Sequence, residues 1–324
     1  MDNKEIYRRT LGFSLRRVLW DVLSIALLLA LGTLGYFLGE KAGENGGVIG
    51  LIIGGIVGVV AAILISRFIS YMLKAGQIAM MTRGVTEGEL PDDVIAEGKR
   101  TVKARFATVA AYFAITGAIR GIFNQIGSGI TKLGNSIGGD TGGAVGGAVS
   151  SVIQTIVSYL CDCCLGWVFW RSEVKAVKAT CEGAVIFFKH GKTFAKNMGR
   201  VFGIGLISLL VIGGAFTGIF YLIISGHPEL YASISGIFAE AAAEEGASAV
   251  AKLLANPAAV PIVISAIGGI IVWAILQSTF IRPFVLVGVL RNYIASGVND
   301  IPSEASFAML DSKSPRFRKL HGQI

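Results

Sequence analysis

Residues 50–66 read GLIIGGIVGVVAAILIS, and this stretch decides the class of fold. With the four residues before it, it forms a run of 21 residues without a charge. A membrane-crossing helix needs roughly 20 such residues, because each rises about 1.5 Å and the hydrocarbon layer is about 30 Å thick. Glycines recur every fourth residue at Gly50, Gly54 and Gly58, a spacing that lets two membrane helices pack closely. The stretch predicts a spanning helix with a close helical neighbour.

The composition of the whole chain agrees with a membrane protein. Of its 324 residues, 53% are apolar and only 15% are charged, whereas soluble domains carry roughly 25% charged residues. Disordered chains are poor in hydrophobic residues, and collagen needs glycine at every third position, a period that the 43 glycines lack. The class that remains is an all-α polytopic membrane protein, which we predict to be a single transmembrane domain over 1–324.

Six stretches are long and apolar enough to be spans, and they predict three hairpins. The third is the least hydrophobic, since it contains Arg120. The predicted spans are about 18–38, 48–73, 106–126, 144–170, 201–224 and 259–281.

The distribution of positive charge predicts the orientation. Lys and Arg number 5, 1, 6, 1, 7, 1 and 6 in the successive segments outside the spans. Because cytoplasmic segments are enriched in Lys and Arg, this alternation places both termini in the cytoplasm, with a tail at 282–324. The net charge of +8 divides into +12 on cytoplasmic and −4 on external segments. We therefore expect a plasma (inner) membrane protein whose partners are lipids of the anionic inner leaflet, and not a nucleic acid.

A basic segment before each odd-numbered span suggests an internal repeat. Arg9-Thr10-Leu11, Arg100-Thr101-Val102 and Lys192-Thr193-Phe194 align at separations of 91 and 92 residues. The tandem units would be 1–91, 92–183 and 184–324. The alternative is that any hairpin obeying the positive-inside rule begins in this way.

Two cytoplasmic segments have the composition of amphipathic surface helices. Residues 184–197 mix phenylalanines with lysines, and residues 284–296 are mostly apolar around Arg291. Such helices lie at the headgroup boundary of a membrane, or they pack on one another beneath the bundle. The Ala-rich loop 227–257 predicts an external helical cap.

The glycine-rich run at 127–147 (GSGITKLGNSIGGDTGGAVGG) is too polar for lipid-exposed hydrocarbon. Its composition favours a flexible external loop. The alternative is a re-entrant loop that lines an aqueous cavity.

Charged residues within spans are costly and therefore candidates for function. Asp21, Arg67 and Asp162 all fall within roughly a third of the bilayer from the cytoplasmic face, where they would satisfy one another as an inner gate or proton-linked cluster. The alternative is that Arg67 extends to the headgroups and Asp21 is interfacial.

Polar and aromatic residues in the middle of spans are candidates for a solute pocket. They are Tyr112, Gln154, Tyr159, Trp273 and Gln277. Aromatic faces attract quaternary ammonium groups through the ring quadrupole. The alternative is ordinary hydrogen bonding and packing between helices.

Motifs for catalysis and for cofactors are missing from the sequence. The cluster Cys161-Asp162-Cys163-Cys164 has no standard zinc spacing, and small thiols packing between helices is the favoured interpretation, with S-acylation as the alternative. The three histidines are far apart. We therefore expect neither an enzyme nor a bound metal or cofactor.

The layout from the third span to the end, about two-thirds of the chain, resembles the choline transporter-like family. The matching pieces are the Cys161–Cys164 cluster, residues 193–201 (TFAKNMGRV) and residues 287–303 (VGVLRNYIASGVNDIPS). The chain is shorter than members of that family and has fewer spans, and no binding residue is carried over. The resemblance implies transport of an organic cation.

Two functions of different classes follow. The first is a transporter or channel-like protein for a small solute, including an organic cation. The second is a non-transporting membrane protein that organises lipid or recruits partners through its basic cytoplasmic helices. The glycine-rich helices also favour a homo-oligomer.

Overall fold

A computed structural model describes residues 1–41, 43, 46–137, 142–228, 235–236, 239, 242 and 253–324. Over these residues the chain is helical and has no strand, so the predicted all-α class is confirmed. The helices are α1 (Asn3–Glu40), α2 (Gly46–Thr86), α3 (Val94–Arg105), α4 (Val109–Ile137), α5 (Gly142–Trp170), α6 (Ala176–Ser208), α7 (Gly214–Ser225), α8 (Val260–Leu276), α9 (Arg282–Asn299), α10 (Glu304–Lys313) and α11 (Pro315–His321).

The chain divides into two compact units. The first comprises Met1–Met198 and Pro283–Ile324, and the second comprises Gly199–Arg282. This division follows packing and not repetition, so the tandem units of about 91 residues stay a prediction.

The first unit contains a hairpin of α1 and α2 in which the two backbones almost touch. A Cβ atom on Gly50 would lie 2.0 Å from the carbonyl oxygen of Gly35, and one on Gly39 would lie 2.0 Å from that of Gly46. A Cβ on Gly54 would lie 2.4 Å from the carbonyl oxygen of Leu31. Real atoms cannot approach so closely, so glycine is required along this seam. The predicted close neighbour of the second span is α1.

The outer part of this hairpin exposes a large apolar surface. Leu29 is 65% exposed and Leu64 is 63% exposed, and neighbours on both helices are similar. Three helices of the described chain are long and apolar enough to cross a membrane, and a bent pair is a fourth if it counts as one span. The three are Asn3–Glu40, Gly203–Ser225 and the helical stretch Val260–Asn299. They coincide with the first, fifth and sixth predicted spans.

The four segments predicted to be cytoplasmic pack together as one buried body in the first unit. The ring of Phe13 on α1 packs against Gly76 of α2 and Gly98 of α3. A Cβ atom on either glycine would lie within 2.8 Å of that ring. Arg291 of α9 donates through Nε to Asn3 Oδ1 at 2.8 Å. Segments that the charge count assigns to one side of a membrane are therefore in direct contact.

The predicted surface helices bury their apolar faces in this body. Phe187 and Phe194 are 5% and 3% exposed, and Leu290 and Tyr293 are fully buried. Of the two placements open from sequence, packing of the helices on one another is the one that accounts for these side chains.

The third predicted span does not run straight. Helices α3 and α4 meet at an angle of 83°, and Thr108 Oγ1 caps α4 by accepting from the Ala111 amide at 3.1 Å. At the far end, Gln125 Oε1 accepts from Ser314 Oγ at 2.8 Å. The prediction places residue 125 at the external face, yet its partner Ser314 belongs to the tail predicted to be cytoplasmic.

Two predicted loops have different outcomes. The run 127–147 is helical over 127–137 and 142–147, where a flexible loop had been favoured. Glycine and small polar residues lower helix propensity without excluding a helix, and tertiary context overrides that preference. Most of the predicted cap at 227–257 lies outside the described residues.

The second unit is a hairpin of α7 and α8 that also packs through glycine. A Cβ on Gly269 would lie 2.1 Å from Thr217 Oγ1 and 2.7 Å from the carbonyl oxygen of Gly213. One π-helical turn, Leu209–Gly213, precedes α7, and a second, Gln277–Ile281, precedes α9. The second turn leads into Pro283, which has no N–H to donate to a regular helix.

Candidate functional site

A pocket of about 350 Å³ lies between α2, α4 and α5 in the first unit. We call it the aromatic pocket. Three rings, three charged side chains and one thiol are among the residues that line it: Tyr71, Lys74, Tyr112, Phe113, Arg120, Cys161 and Asp162. Its volume is within the roughly 300–1,000 Å³ typical of small-molecule sites.

An ion pair forms the polar side of the aromatic pocket. Asp162 Oδ1 lies 2.6 Å from Lys74 Nζ, and the Asp162 side chain is 6% exposed against 32% for Lys74. A carboxylate this deeply buried is costly without a counter-charge, so Lys74 stabilises it in the charged state. The more exposed lysine is the partner that can move.

The opposite side consists of aromatic rings in mutual contact. The ring centroids of Tyr71 and Tyr112 are 4.7 Å apart, and those of Tyr71 and Phe113 are 5.6 Å apart. Phe106 and Phe113 each pack edge-on against Tyr112. Phe113 is 45% exposed, so one wall of the pocket is accessible without unfolding the cluster.

These walls define which groups the aromatic pocket can hold. Ring faces attract a cation through their quadrupole, and Asp162 adds an anionic oxygen. Lys74 and Arg120 supply two positive charges against the single carboxylate. A ligand with both an ammonium and an anionic group matches this arrangement better than a plain monocation.

Of the five predicted pocket residues, Tyr112 lines the aromatic pocket. Tyr159, also in the first unit, is 3% exposed and belongs to the packed core. Gln154 is exposed on α5. The structure therefore assigns these three residues to three different environments.

Trp273 and Gln277 come together in the second unit. Trp273 Nε1 donates to Ser208 Oγ at 3.0 Å, and Ser208 Oγ donates to Gln277 Oε1 at 3.1 Å. Gln277 opens the second π-helical turn. These contacts are hydrogen bonds between helices, as the packing alternative had it.

The predicted charge cluster is described only in part. Asp162 pairs with Lys74, and exposed Asp21 interacts electrostatically with Arg17 one turn earlier. The side chain of Arg67 lies outside the described residues. Lys74 follows Arg67 by two helical turns on the same helix face, and sequence reasoning had assigned it to a loop.

Sequence reasoning also missed Tyr71 and Phe113. Tyr71 falls at the cytoplasmic end of the second predicted span, where an aromatic residue is unremarkable. Phe113 directly follows Tyr112, and adjacent residues on a helix do not share a face. The ring centroids of both nevertheless lie within 5.6 Å of the Tyr71 centroid.

The comparisons do not add a family. The chain matches no family model, no curated protein and no solved structure. The resemblance to the choline transporter-like family therefore stays a prediction. Within the described residues, no three His, Cys, Asp or Glu side chains are grouped so that they could hold a metal ion.

The cysteines provide a direct test of the packing. Cys163, Cys164 and Cys181 are fully buried, whereas Cys161 is partly exposed at the aromatic pocket. Burial also raises the pKa of Cys181 to about 12, which leaves almost no reactive thiolate near neutral pH. We expect a membrane-permeant maleimide to label one thiol per native chain near neutral pH, and all four after denaturation in SDS.

Mass spectrometry of proteolytic fragments would locate the label. Cys161→Ser is the control and should abolish labelling of the native chain. Rapid labelling of any buried cysteine would contradict the packing of α5 against α6.

Proposed function

We propose that the chain is an integral membrane protein that binds a small solute in the aromatic pocket and transports it. The observation that carries the proposal is the pairing of a ring cluster with a buried carboxylate whose counter-ion is partly exposed. Such a pocket offers ring faces and a carboxylate to an ammonium group, while Lys74 stays available to an anionic group. The resemblance to choline transporter-like proteins points to the same chemical class.

The membrane arrangement belongs to the same proposal. Both termini and the packed body of basic helices would face the cytoplasm of a plasma (inner) membrane, in contact with its anionic leaflet. The hairpins α1–α2 and α7–α8 would cross the bilayer. The hairpin α4–α5 would complete six membrane segments, with α4 entering along a bent course, since residue 125 contacts the cytoplasmic tail.

The proposed solute carries a quaternary or primary ammonium group together with an anionic group. The ammonium would contact the rings of Tyr71, Tyr112 and Phe113, and the anionic group would face Lys74 and Arg120. Cation–ring contacts contribute about 0.5–2 kcal/mol each. Trimethylglycine and tetramethylammonium are matched probes, because they share the cationic head and differ in the carboxylate.

Binding can be measured through Cys161, because its thiol lines the pocket. We expect trimethylglycine to slow maleimide labelling of Cys161, and tetramethylammonium to do so more weakly. Phe113→Ala should lower the affinity about threefold to thirtyfold, as the loss of one cation–ring contact implies. Phe284→Ala is the matched control, since Phe284 is 44% exposed, lies outside the pocket lining and should leave protection unchanged.

Transport itself requires uptake of the labelled probes into proteoliposomes. Uptake that falls with Phe113→Ala and persists with Phe284→Ala would support the proposal. Uptake that is missing for cationic, anionic, zwitterionic and neutral solutes alike would overturn the transport function, and a lack of Cys161 protection would overturn the binding site.

A second candidate function is a membrane protein that organises lipid or recruits partners without transport. The observation that favours it is that the packed cytoplasmic helices leave basic side chains exposed. Examples are Lys99, Arg100 and Lys103 on α3 and Arg316 and Lys319 on α11. Protein that lacks uptake but gathers anionic lipid would fit this function.

A further inference from the structure

A second concave site lies on the other side of α4, where the chain bends. It has a volume of about 530 Å³ and is bounded by α4, α11, the start of α6 and the residues Arg105 and Phe106. We call it the cationic groove. It shares only Gly117 with the aromatic pocket among the residues that line either site.

The floor of the cationic groove is apolar and lined by small residues. Ala111, Ala114, Gly117 and Ala118 of α4 contribute only small side chains. Phe106, Ile115, Val177 and Leu320 form larger walls. Together these side chains make an apolar lining suited to a hydrocarbon chain, which has no polar group to satisfy.

The rim of the cationic groove is positively charged. Arg105, Arg316 and Lys319 belong to the lining, and among the described residues of that lining there is no Asp or Glu. Arg316 and Lys319 are exposed and lie three residues apart, on one face of α11. Neither side chain forms an ion pair with a described residue, so both charges remain open to an anion.

The position of the two α11 cations is fixed by packing beneath them. Phe317 is fully buried and Leu320 is 8% exposed, while Ser314 Oγ caps the helix by accepting from the Phe317 amide at 3.1 Å. Gly121 lets the guanidinium of Arg316 lie directly on α4, since a Cβ there would come within 2.7 Å of Arg316 Nη1. The rim is thus a built feature and not a loose tail.

Arg105 adds a second observation at the inner end. Its guanidinium donates to the Val174 carbonyl oxygen at 2.8 Å and to that of Arg171 at 3.1 Å. Its Nε atom is buried and has no hydrogen-bond partner among the described residues. A buried donor without a partner costs free energy, and an anion seated beside it would relieve that cost.

We propose that the cationic groove binds an anionic membrane phospholipid, with one acyl chain on the α4 floor and the phosphate at Arg316 and Lys319. Charge complementarity selects an anion, and the apolar floor selects a lipid over a free anion. The groove also lies at the bend between a basic helix and an apolar one, the place in the chain where headgroups and hydrocarbon would meet.

Native mass spectrometry of the purified chain with added lipid tests this assignment. We expect phosphatidylglycerol to bind more tightly than phosphatidylcholine with the same acyl chains. The double variant Arg316→Gln/Lys319→Gln should weaken phosphatidylglycerol binding about 30-fold, as the loss of two headgroup contacts implies. Both side chains are exposed, so the fold should persist.

The matched control is Lys4→Gln/Arg8→Gln, which removes the same charge from exposed positions on α1 outside the groove. Ala114→Trp would fill the floor of the groove and should weaken the binding of both phosphatidylglycerol and phosphatidylcholine. Equal binding of the two lipids, equal losses in the two double variants, or displacement of the lipid by inorganic phosphate alone would each overturn the proposal. Because the Cys161 protection assay reports a different site, either proposal can fail while the other stands.

Discussion

Replacing Glu182 by alanine is expected to destabilise the first unit by about 3 kcal/mol, the range for breaking a buried ion pair. The Glu182 side chain is 2% exposed and accepts from Arg171 Nε at 2.9 Å and from Trp167 Nε1 at 3.1 Å. Truncation would leave the buried Trp167 indole N–H without its acceptor and would leave Arg171 with Glu173 as its remaining ion-pair partner among the described residues. Thermal unfolding in detergent, followed through tryptophan fluorescence, should show a midpoint lowered by roughly 6–12 °C.

Glu173 provides the matched control, because it contacts the same arginine from the surface. Its side chain is 57% exposed, and surface ion pairs contribute about 0–1 kcal/mol. Glu173→Ala should therefore lower the midpoint by at most about 4 °C. Equal effects of the two substitutions would show that burial does not set the strength of this network.

The predicted spans whose bounds agree best with the structure are helices with largely exposed apolar side chains. The fifth was predicted at 201–224 and the apolar helix is Gly203–Ser225. The sixth was predicted to begin at residue 259, and its helix begins at Val260. The length and apolar character of a helix that could cross a membrane are local properties, so they can be predicted from the residues of that helix alone.

The third predicted span failed as a straight crossing because its apolar residues serve another purpose. The buried hydrophobic side chains among the described residues of α4 are Tyr112, Ile115, Ile119, Ile122 and Phe123. They recur every three or four residues, which indicates a helix with one buried face. That period can be read from the sequence, and it indicates a helix with one face packed on protein. Total hydropathy does not distinguish such a helix from one that crosses a membrane.

The aromatic pocket was predicted only in fragments. Tyr112 and Asp162 were both candidates, but for two separate sites. The two residues line one pocket because α2, α4 and α5 pack next to one another. The spacing of residues along a single helix does not predict which helices become neighbours. Lys74 is an example. It lies on α2 and can form its ion pair with Asp162 only because α5 packs beside α2.

The α1–α2 seam gives the second large effect, because it has no room for a side chain. A Cβ on Gly54 would lie 2.4 Å from the Leu31 carbonyl oxygen and 3.0 Å from the Gly35 Cα. Gly54→Leu must separate the two helices along several turns. We expect a loss of about 3 kcal/mol or more, at or above the upper end for overpacking, and a correspondingly lower unfolding midpoint in detergent.

Gly55 is the control, one residue further along α2 and about 100° around the helix from Gly54. A Cβ there would have no described atom within 4 Å, and leucine favours a helix over glycine by about 0.8–1 kcal/mol. Gly55→Leu should therefore leave the midpoint unchanged or raise it. The seam glycines already pack within the chain, so their spacing does not by itself indicate contacts between copies, and the homo-oligomer stays a prediction. If Gly55→Leu lowered the unfolding midpoint as much as Gly54→Leu, close packing at the α1–α2 seam would not be the reason that glycine is required at position 54.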